Sequence, residues 1–336
     1  MAKKLWYMVV DTETATLPIV NEIAKTPEEK KQLAIAKPLV YDIGWTVCDR
    51  QGNITKKAQY LIAETFSVPA IFNTAYYAEK RPIYLKMLRN GETSIKSWND
   101  IMDEFISDLD TVDAVGAFNS MFDFKKAIPF TELYINQLYS SNYYNWENLQ
   151  REHCKRIISN SCNNSKKDFE PEIFRFRSKS YNLFDLWGLS VNHLLNNQKY
   201  KNECINHGLF TSSGTFFKSS AETTYRYLCN EYDFIESHTA LDDALIETFI
   251  LSKIAKKHAI TPGIDFFPFQ KLGYTYDYVT QKRYVKPQEV QAVHGAMNNY
   301  VAQKQTEGEL TTYAKRLLKE IEKLEEMLEN LNGEVK

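Results

Sequence analysis

"LWYMVVDTETATLP", residues 5–18, is an apolar run that ends in two acids, Asp11 and Glu13. Side chains alternate across a strand with a period of two, so these acids leave the same face. Two carboxylates ~4 Å apart repel by roughly 4 kcal/mol at an effective dielectric of about 20. A strand end beside a core tolerates such a pair when a cation or a reaction lies between them. Residues 5–11 are therefore expected to form a buried strand that delivers an acidic site.

The surroundings read as an α/β domain. Residues 18–38 are charged and helix-like, with prolines near both ends. "LVYDIGWTVCDRQGNITKKAQYLIA" (39–63) is a hairpin, two β-branched-rich runs around a Gly/Asn turn. Trp98, Ile101, Met102, Phe105, Ile106 and Leu109 follow helical spacing and predict a helix over 94–109. "DAVGAFN" (113–119) predicts another short strand and "SMFDFKKAI" the helix leaving it, with Pro129 near its end or at a kink. The stretch 131–180 is polar and aromatic, an insertion with "SNSCNNSKKD" (159–168) as its best loop. A strand running into a helix is expected at 183–195, with helices at 219–230 and 239–258. Three strands able to pair antiparallel, followed by strand–helix units, indicate a mixed sheet flanked by helices.

The chain has 336 residues, 43 % hydrophobic and 25 % charged, with net charge −2. That balance excludes a globally basic nucleic-acid binder but not a local basic patch. Five cysteines, Cys48, Cys154, Cys162, Cys204 and Cys229, form no CxxC pair, which argues for reduced thiols in the cytoplasm. His153, Cys154, Cys162, Cys204 and His207 can be assembled into a zinc site on paper, although their spacing fits no established finger. The N-terminal apolar run is too short for a secretory signal, and no run reaches the ~20 residues of a membrane span. A soluble, cytoplasmic protein with no membrane partner is expected.

Two further acidic sites complete the pattern. Asp123 closes "NSMFD"; if Asn119 caps the following helix, Asp123 lies in its first turn, where the helix dipole alone favours an acid. In "ESHTALDDALIETFILSKI" (236–254), Thr239 and Asp242 make a capping box with Asp in place of Glu. His238 then precedes the helix and Asp243 occupies its first turn. Within one helix, residues five apart would point ~140° from each other, whereas a histidine in the loop can swing over the site that Asp243 faces. Glu247, one turn on, reads as a supporting or solvent-facing acid rather than a ligand.

"DTET", "NSMFD" and "HTALDDA" resemble, in order, the three motifs of the DEDD 3′–5′ exonucleases, in the subgroup with a catalytic histidine. This subgroup includes proofreading subunits of bacterial replicases, ribonuclease T, oligoribonuclease and many phage exonucleases. The resemblance spans roughly residues 5–258 and implies a ribonuclease-H-like fold, a five-stranded mixed sheet with helices on both sides. It implies that Asp11, Glu13, Asp123 and Asp243 hold two divalent metal ions, Mg2+ or Mn2+, and that His238 is the general base. The implied reaction releases nucleoside 5′-monophosphates from the 3′ end of single-stranded DNA or RNA. Thr12 and Thr14 alternate with Asp11 and Glu13, and the backbone around Thr14–Leu17 resembles the segment that holds the terminal nucleotide, with Leu17 as a candidate apolar wedge, although "TATLP" stands where many relatives have a Thr-Thr-Gly turn. Asn119 is a candidate substrate contact or helix cap. Phe122, like Phe118, is a candidate base platform or a core residue.

Residues 151–179 carry a net charge of +4, with Arg175 and Arg177 alternating with Phe174 and Phe176. This is a candidate track for a phosphate backbone, or a solvated basic insertion. After about residue 260 the chain changes character. Residues 261–308 read as an aromatic connector, and 309–333 as an amphipathic helix with Leu310, Ala314, Leu317, Ile321, Leu324, Leu328 and Leu331 on a heptad seam. The seam suits a homo-oligomer or a protein partner; its alternative is a helix lying on the protein's own surface. Two other functions compete: a non-catalytic nucleic-acid-binding or scaffold protein of the same fold, and a small-nucleotide phosphodiesterase.

Overall fold

Alternation along the first strand builds two cores. In β1, Trp6–Thr16, Met8 and Val10 enter one apolar cluster while Tyr7 and Val9 enter another, as the two faces of a central strand require. The structure, a computed structural model, describes residues 4–159, 173–211, 216–258 and 260.

β2 (Pro38–Asp49) and β3 (Ile54–Ile62) form the expected hairpin, turning at Gly52 with φ of 82°. β4 (Ser94–Lys96), β5 (Ala114–Ala117), β6 (Ile173–Phe176) and β7 (Lys179–Asp185) complete a sheet of order β4-β3-β2-β1-β5-β7-β6. β1 pairs antiparallel with β2 and parallel with β5, and β5 pairs parallel with β7. The sheet is mixed, as expected, but has seven strands rather than five. The two additions are the short edges. β4 takes the first residues of the expected 94–109 helix, which starts instead at Trp98, capped by Ser97 accepting from Asp100.

β6 lies in the stretch read as an insertion, and the described residues ahead of it are largely helical, Ile128–Leu138 and Tyr143–Ser159, while the expected loop past Ser159 lies outside the described residues. Trp146, Gln150 and Cys154 are buried at four-residue spacing along the second helix. Helices cover both faces of the sheet. Trp98, Ile101, Met102, Phe105 and Leu109 pack with Met8 and Val10, whereas Ile250, Leu251, Ile254 and Ala255 of the Ala240–Ala255 helix pack with Tyr7 and Val9. Asp11 and Glu13 continue the Tyr7–Val9 row, so they face the Ala240–Ala255 helix.

That helix comes unusually close to the sheet at Gly44. A β-carbon placed there would stand 2.3 Å from the backbone nitrogen of Leu241. The small residue is what lets the first turn of the helix settle on β2.

No helix among the described residues is long and apolar enough to cross a membrane. The connector at 261–308, the heptad seam at 309–333 and Cys162 lie outside the described residues. The cysteine–histidine grouping does not form among the described residues: His153 Nδ1 meets Lys37 Nζ at 3.2 Å, Cys204 is buried in a small third core, and His207 stacks on Tyr232. Cys48, Cys154, Cys204 and Cys229 are free thiols.

Candidate acidic site at the ends of the central strands

β1 runs on to Thr16, so Asp11 and Glu13 lie within it, just beyond Tyr7–Val9, the part that pairs with β5, and Asp123 lies past the C-terminal end of β5. Asp123 follows β5 after one short turn, Ser120–Phe122. Its backbone is held from two sides: Ser120 N–H donates to Asp185 on β7 at 3.1 Å, and the Ser120 hydroxyl donates to the Phe184 carbonyl at 2.6 Å. Asn119 supplies no side-chain cap; its carbonyl accepts the N–H groups of Phe122 and Asp123. Asp123 opens a widened, π-type turn, Asp123–Ala127, closed by Ile128 N–H to the Asp123 carbonyl. Pro129, which lacks an N–H, follows directly, and it makes such a turn a natural adjustment of the helix.

Asp123 is buried and accepts a hydrogen bond from the Thr12 hydroxyl at 2.6 Å. Burial raises its carboxyl to about pH 7 despite that bond. Thr12 is itself buried, so its hydroxyl serves the carboxylate rather than reaching outward.

The third segment arrives by a different cap from the one expected. Thr239 accepts no backbone N–H; its hydroxyl donates to the Asp242 carboxylate at 2.9 Å. The first turn is capped instead from β2, where the fully buried Asp42 accepts Ala240 N–H at 3.0 Å. Gln59 donates to both Asp42 oxygens, at 3.1 and 3.0 Å. Asp42 is the register partner of Glu13, so the cap sits directly beside the acidic pair.

Asp243 is then buried over β1, and its Oδ1 has no hydrogen-bond partner. His238 lies in the loop before the helix with φ of 52°, a left-handed conformation uncommon outside glycine, though less so for histidine than for most side chains. Its Nδ1 stands 3.8 Å from Asp243 Oδ2 and 3.7 Å from Glu236 Oε2. Glu13, His238 and Asp243 offer ligand atoms within 4.8 Å of one another, a grouping that could hold a metal ion.

Electrostatics bind the remaining acids into the same site. Burial raises Asp11 well above the usual carboxylate range, and Glu247, Asp243, Asp123 and Glu13 each push it further. Glu13 is raised by burial, then by Asp243 and Asp42, with Lys80 opposing. Asp243 is raised by burial against the pull of His238. Three acids not assigned to the site from sequence belong to this field: Asp42, pushed up by burial to about 7; Glu236, by burial and Asp243 to about 8; and Glu247, well above its range. Glu247 Oε2 accepts Phe118 N–H at 3.0 Å, which makes it a buried support at the end of β5. It lies four residues after Asp243 on one helix, and that spacing was its sequence signal.

The other expected contacts fall elsewhere. Leu17 is buried in the first core and has no surface with which to wedge a nucleotide. Thr14 is half-buried beyond a bulge that follows Glu13. Phe122 is half-buried against the first core, and Phe118 is buried in the second, stacked on Trp187. Phe174 and Phe176 are core residues, so Arg175 is the exposed residue of β6 and no ring of that strand shares its face. Arg177, in the turn at the N-terminal end of β7, is committed to Glu132, Asp103 and Asn99. The acids gather at the opposite end, beyond the paired part of β1 and the C-terminal end of β5, so the arginines are not part of this site.

Compared with protein-family models, curated proteins and solved structures, the chain matches none.

Proposed function

We propose that this chain is a metal-dependent 3′–5′ exonuclease acting on single-stranded nucleic acid. One observation carries the reading: Glu13, His238 and Asp243 offer ligand atoms within 4.8 Å of one another, and Asp123 and Asp243 lie near enough to Asp11 to push its carboxyl up, so three distant segments meet beside β1. Mutual burial of so many acids is costly without cations. The fold supports the same reading. Without its short edge strands the sheet is a five-stranded mixed sheet with helices on both faces, the architecture of the ribonuclease-H-like resemblance.

The donor set suits a hard divalent cation. Carboxylate oxygens dominate, and Asp243 Oδ1 is buried without a partner. Asp11, Glu13, Asp123 and Asp243 would hold two Mg2+ or Mn2+ ions. Such ions, when bound, activate a water and stabilise the departing 3′ oxygen. The protein's own groups do the rest. Thr12 fixes the orientation of Asp123, and Glu247 fixes the strand end beside it. His238, with Nδ1 turned to Asp243 and Glu236, leaves Nε2 to take the proton of the attacking water.

The test is incubation of 5′-labelled single-stranded DNA and RNA with the protein in Mg2+, Mn2+ or EDTA, beside Asp123→Ala and His238→Ala. A ladder shortening from the 3′ end, dependent on metal and lost in both variants, is the expected result. If the folded, metal-loaded protein cuts neither polymer, the reading fails, and binding or small-nucleotide functions take its place.

A further inference from the structure

The imidazole of His238 lies flat against the ring of Tyr77, with centroids 4.3 Å apart and planes 14° from parallel. Tyr77 belongs to none of the acidic motifs. It stands in "NTAYYAEK", residues 73–80, between β3 and the Arg81–Asn90 helix. The same segment and the helix that follows it each add one more contact to the histidine loop. Lys80 Nζ donates to the Ser237 carbonyl at 2.5 Å and lies 4.4 Å from the centre of the Tyr77 ring. The Tyr84 hydroxyl reaches the His238 carbonyl at 3.5 Å.

These contacts answer a mechanical problem. His238 sits outside regular secondary structure, in a left-handed backbone conformation, yet a general base must stay within hydrogen-bond reach of one proton. Among the described residues, the carboxylates within 4 Å of the ring, Glu236 and Asp243, both lie at its Nδ1 edge. An edge contact leaves the imidazole free to tilt, and a flat aromatic partner removes that freedom. We propose that Tyr77 is the positioning residue of His238, with Lys80 anchoring the loop to the same segment. The catalytic consequence rests on the exonuclease reading above; the packing does not. The face of Tyr77 that meets His238 is taken, so the stack orients the histidine rather than a base.

The experiment compares Tyr77→Ala and Tyr77→Phe with the unaltered chain by kcat and KM on labelled single strands. It adds the NMR resonances of the His238 ring, assigned with His238→Ala, and melting curves to show folding. In the unaltered chain the ring current of Tyr77 shifts those resonances upfield. Tyr77→Ala is expected to lose that shift and to lower kcat by about 10- to 100-fold, with KM changed less than about twofold. Tyr77→Phe is expected to keep both, because the stack needs the ring and not the hydroxyl. A raised KM with kcat intact in Tyr77→Ala would make Tyr77 a substrate contact and overturn the proposal. So would unmoved His238 resonances, or a phenylalanine variant as poor as alanine. If the unaltered chain cuts neither polymer, the exonuclease reading falls, and the resonances still decide whether Tyr77 holds His238.

Discussion

The carboxylate of Asp42, in the middle of the sheet, accepts the N–H of Ala240 at 3.0 Å, so a strand and not the preceding loop caps the helix that carries Asp243. The cap ties the placement of one acidic motif to the strand lying beside another, since Asp42 is the register partner of Glu13. Thr239, the local candidate, spends its hydroxyl on Asp242.

Replacing Asp42 should therefore loosen both. Asp42→Ala leaves Ala240 N–H and the Gln59 amide unpaired in a buried place, at a cost of about 1–3 kcal/mol. Asp42→Asn keeps an acceptor for Ala240 and should cost less. Urea denaturation of the two variants orders them; equal loss would deny the cap its role.

Gly44→Ala is predicted to be worse than an ordinary surface change. The added β-carbon meets backbone of Leu241 and Ala240, which cannot move aside as a flexible side chain does. Overpacking of this kind costs about 1–3 kcal/mol or more, and it pushes Asp243 away from β1. Melting temperature and cleavage rate should fall together, whereas a normal rate in a destabilised protein would show that the helix position is not critical.

Thr12→Val keeps the shape of the side chain and removes the donor to Asp123. The expected cost is about 1–3 kcal/mol of stability. Affinity for Mn2+ should also fall about 10- to 100-fold, the usual effect of removing a group that orients a ligand. Calorimetric titration with Mn2+ reads the second effect, and Thr12→Ser should restore it.

Stability without metal should decline as pH rises. Asp42 and Asp123 titrate near 7 in the folded chain and Glu236 near 8, against about 4 when unfolded. The native state thus holds more protons than the unfolded one across that window. Its stability is full below about pH 4 from these groups and is lost progressively up to about pH 8. Mg2+ or Mn2+ should offset the loss, so the metal-induced rise in melting temperature should be larger at pH 8 than at pH 5. A metal effect independent of pH would argue that the cation binds outside the field of these acids.

Much of the site was legible because its signals are local. The period of two placed Asp11 and Glu13 on one face, and the loop position of His238 separated it from Asp243 by the right geometry. Glu247 shares a helix face with Asp243 and was visible as a support, though not as part of the buried field. Asp42 and Tyr77 were not legible at all. Asp42 reads as one more residue of a hairpin strand, and only the antiparallel register sets it beside Glu13. Tyr77 stands in a connection whose neighbours are chosen by packing across long sequence distance. The aromatic stretch after Asp123 misled for a related reason: its longer helix, Tyr143–Ser159, buries Trp146, Gln150 and Cys154, with no aliphatic residue among them to mark the period. The arginines alternating with Phe174 and Phe176 likewise looked like a track, until the sheet turned the rings inward and tied Arg177 to Glu132.

What the sequence determined by itself was the α/β order of elements and the shared face of Asp11 and Glu13, which follow from alternation, helical spacing or a turn within a few residues. The grouping of Asp123, His238 and Asp243 with that pair came from the resemblance of three short motifs, not from any local period. The tertiary structure alone decided the number of strands, the cap on the Ala240–Ala255 helix, the added acids of the field and the partner of His238. Those depend on which distant surfaces face each other once the sheet is closed, and a chain of local preferences does not specify that until the core is packed.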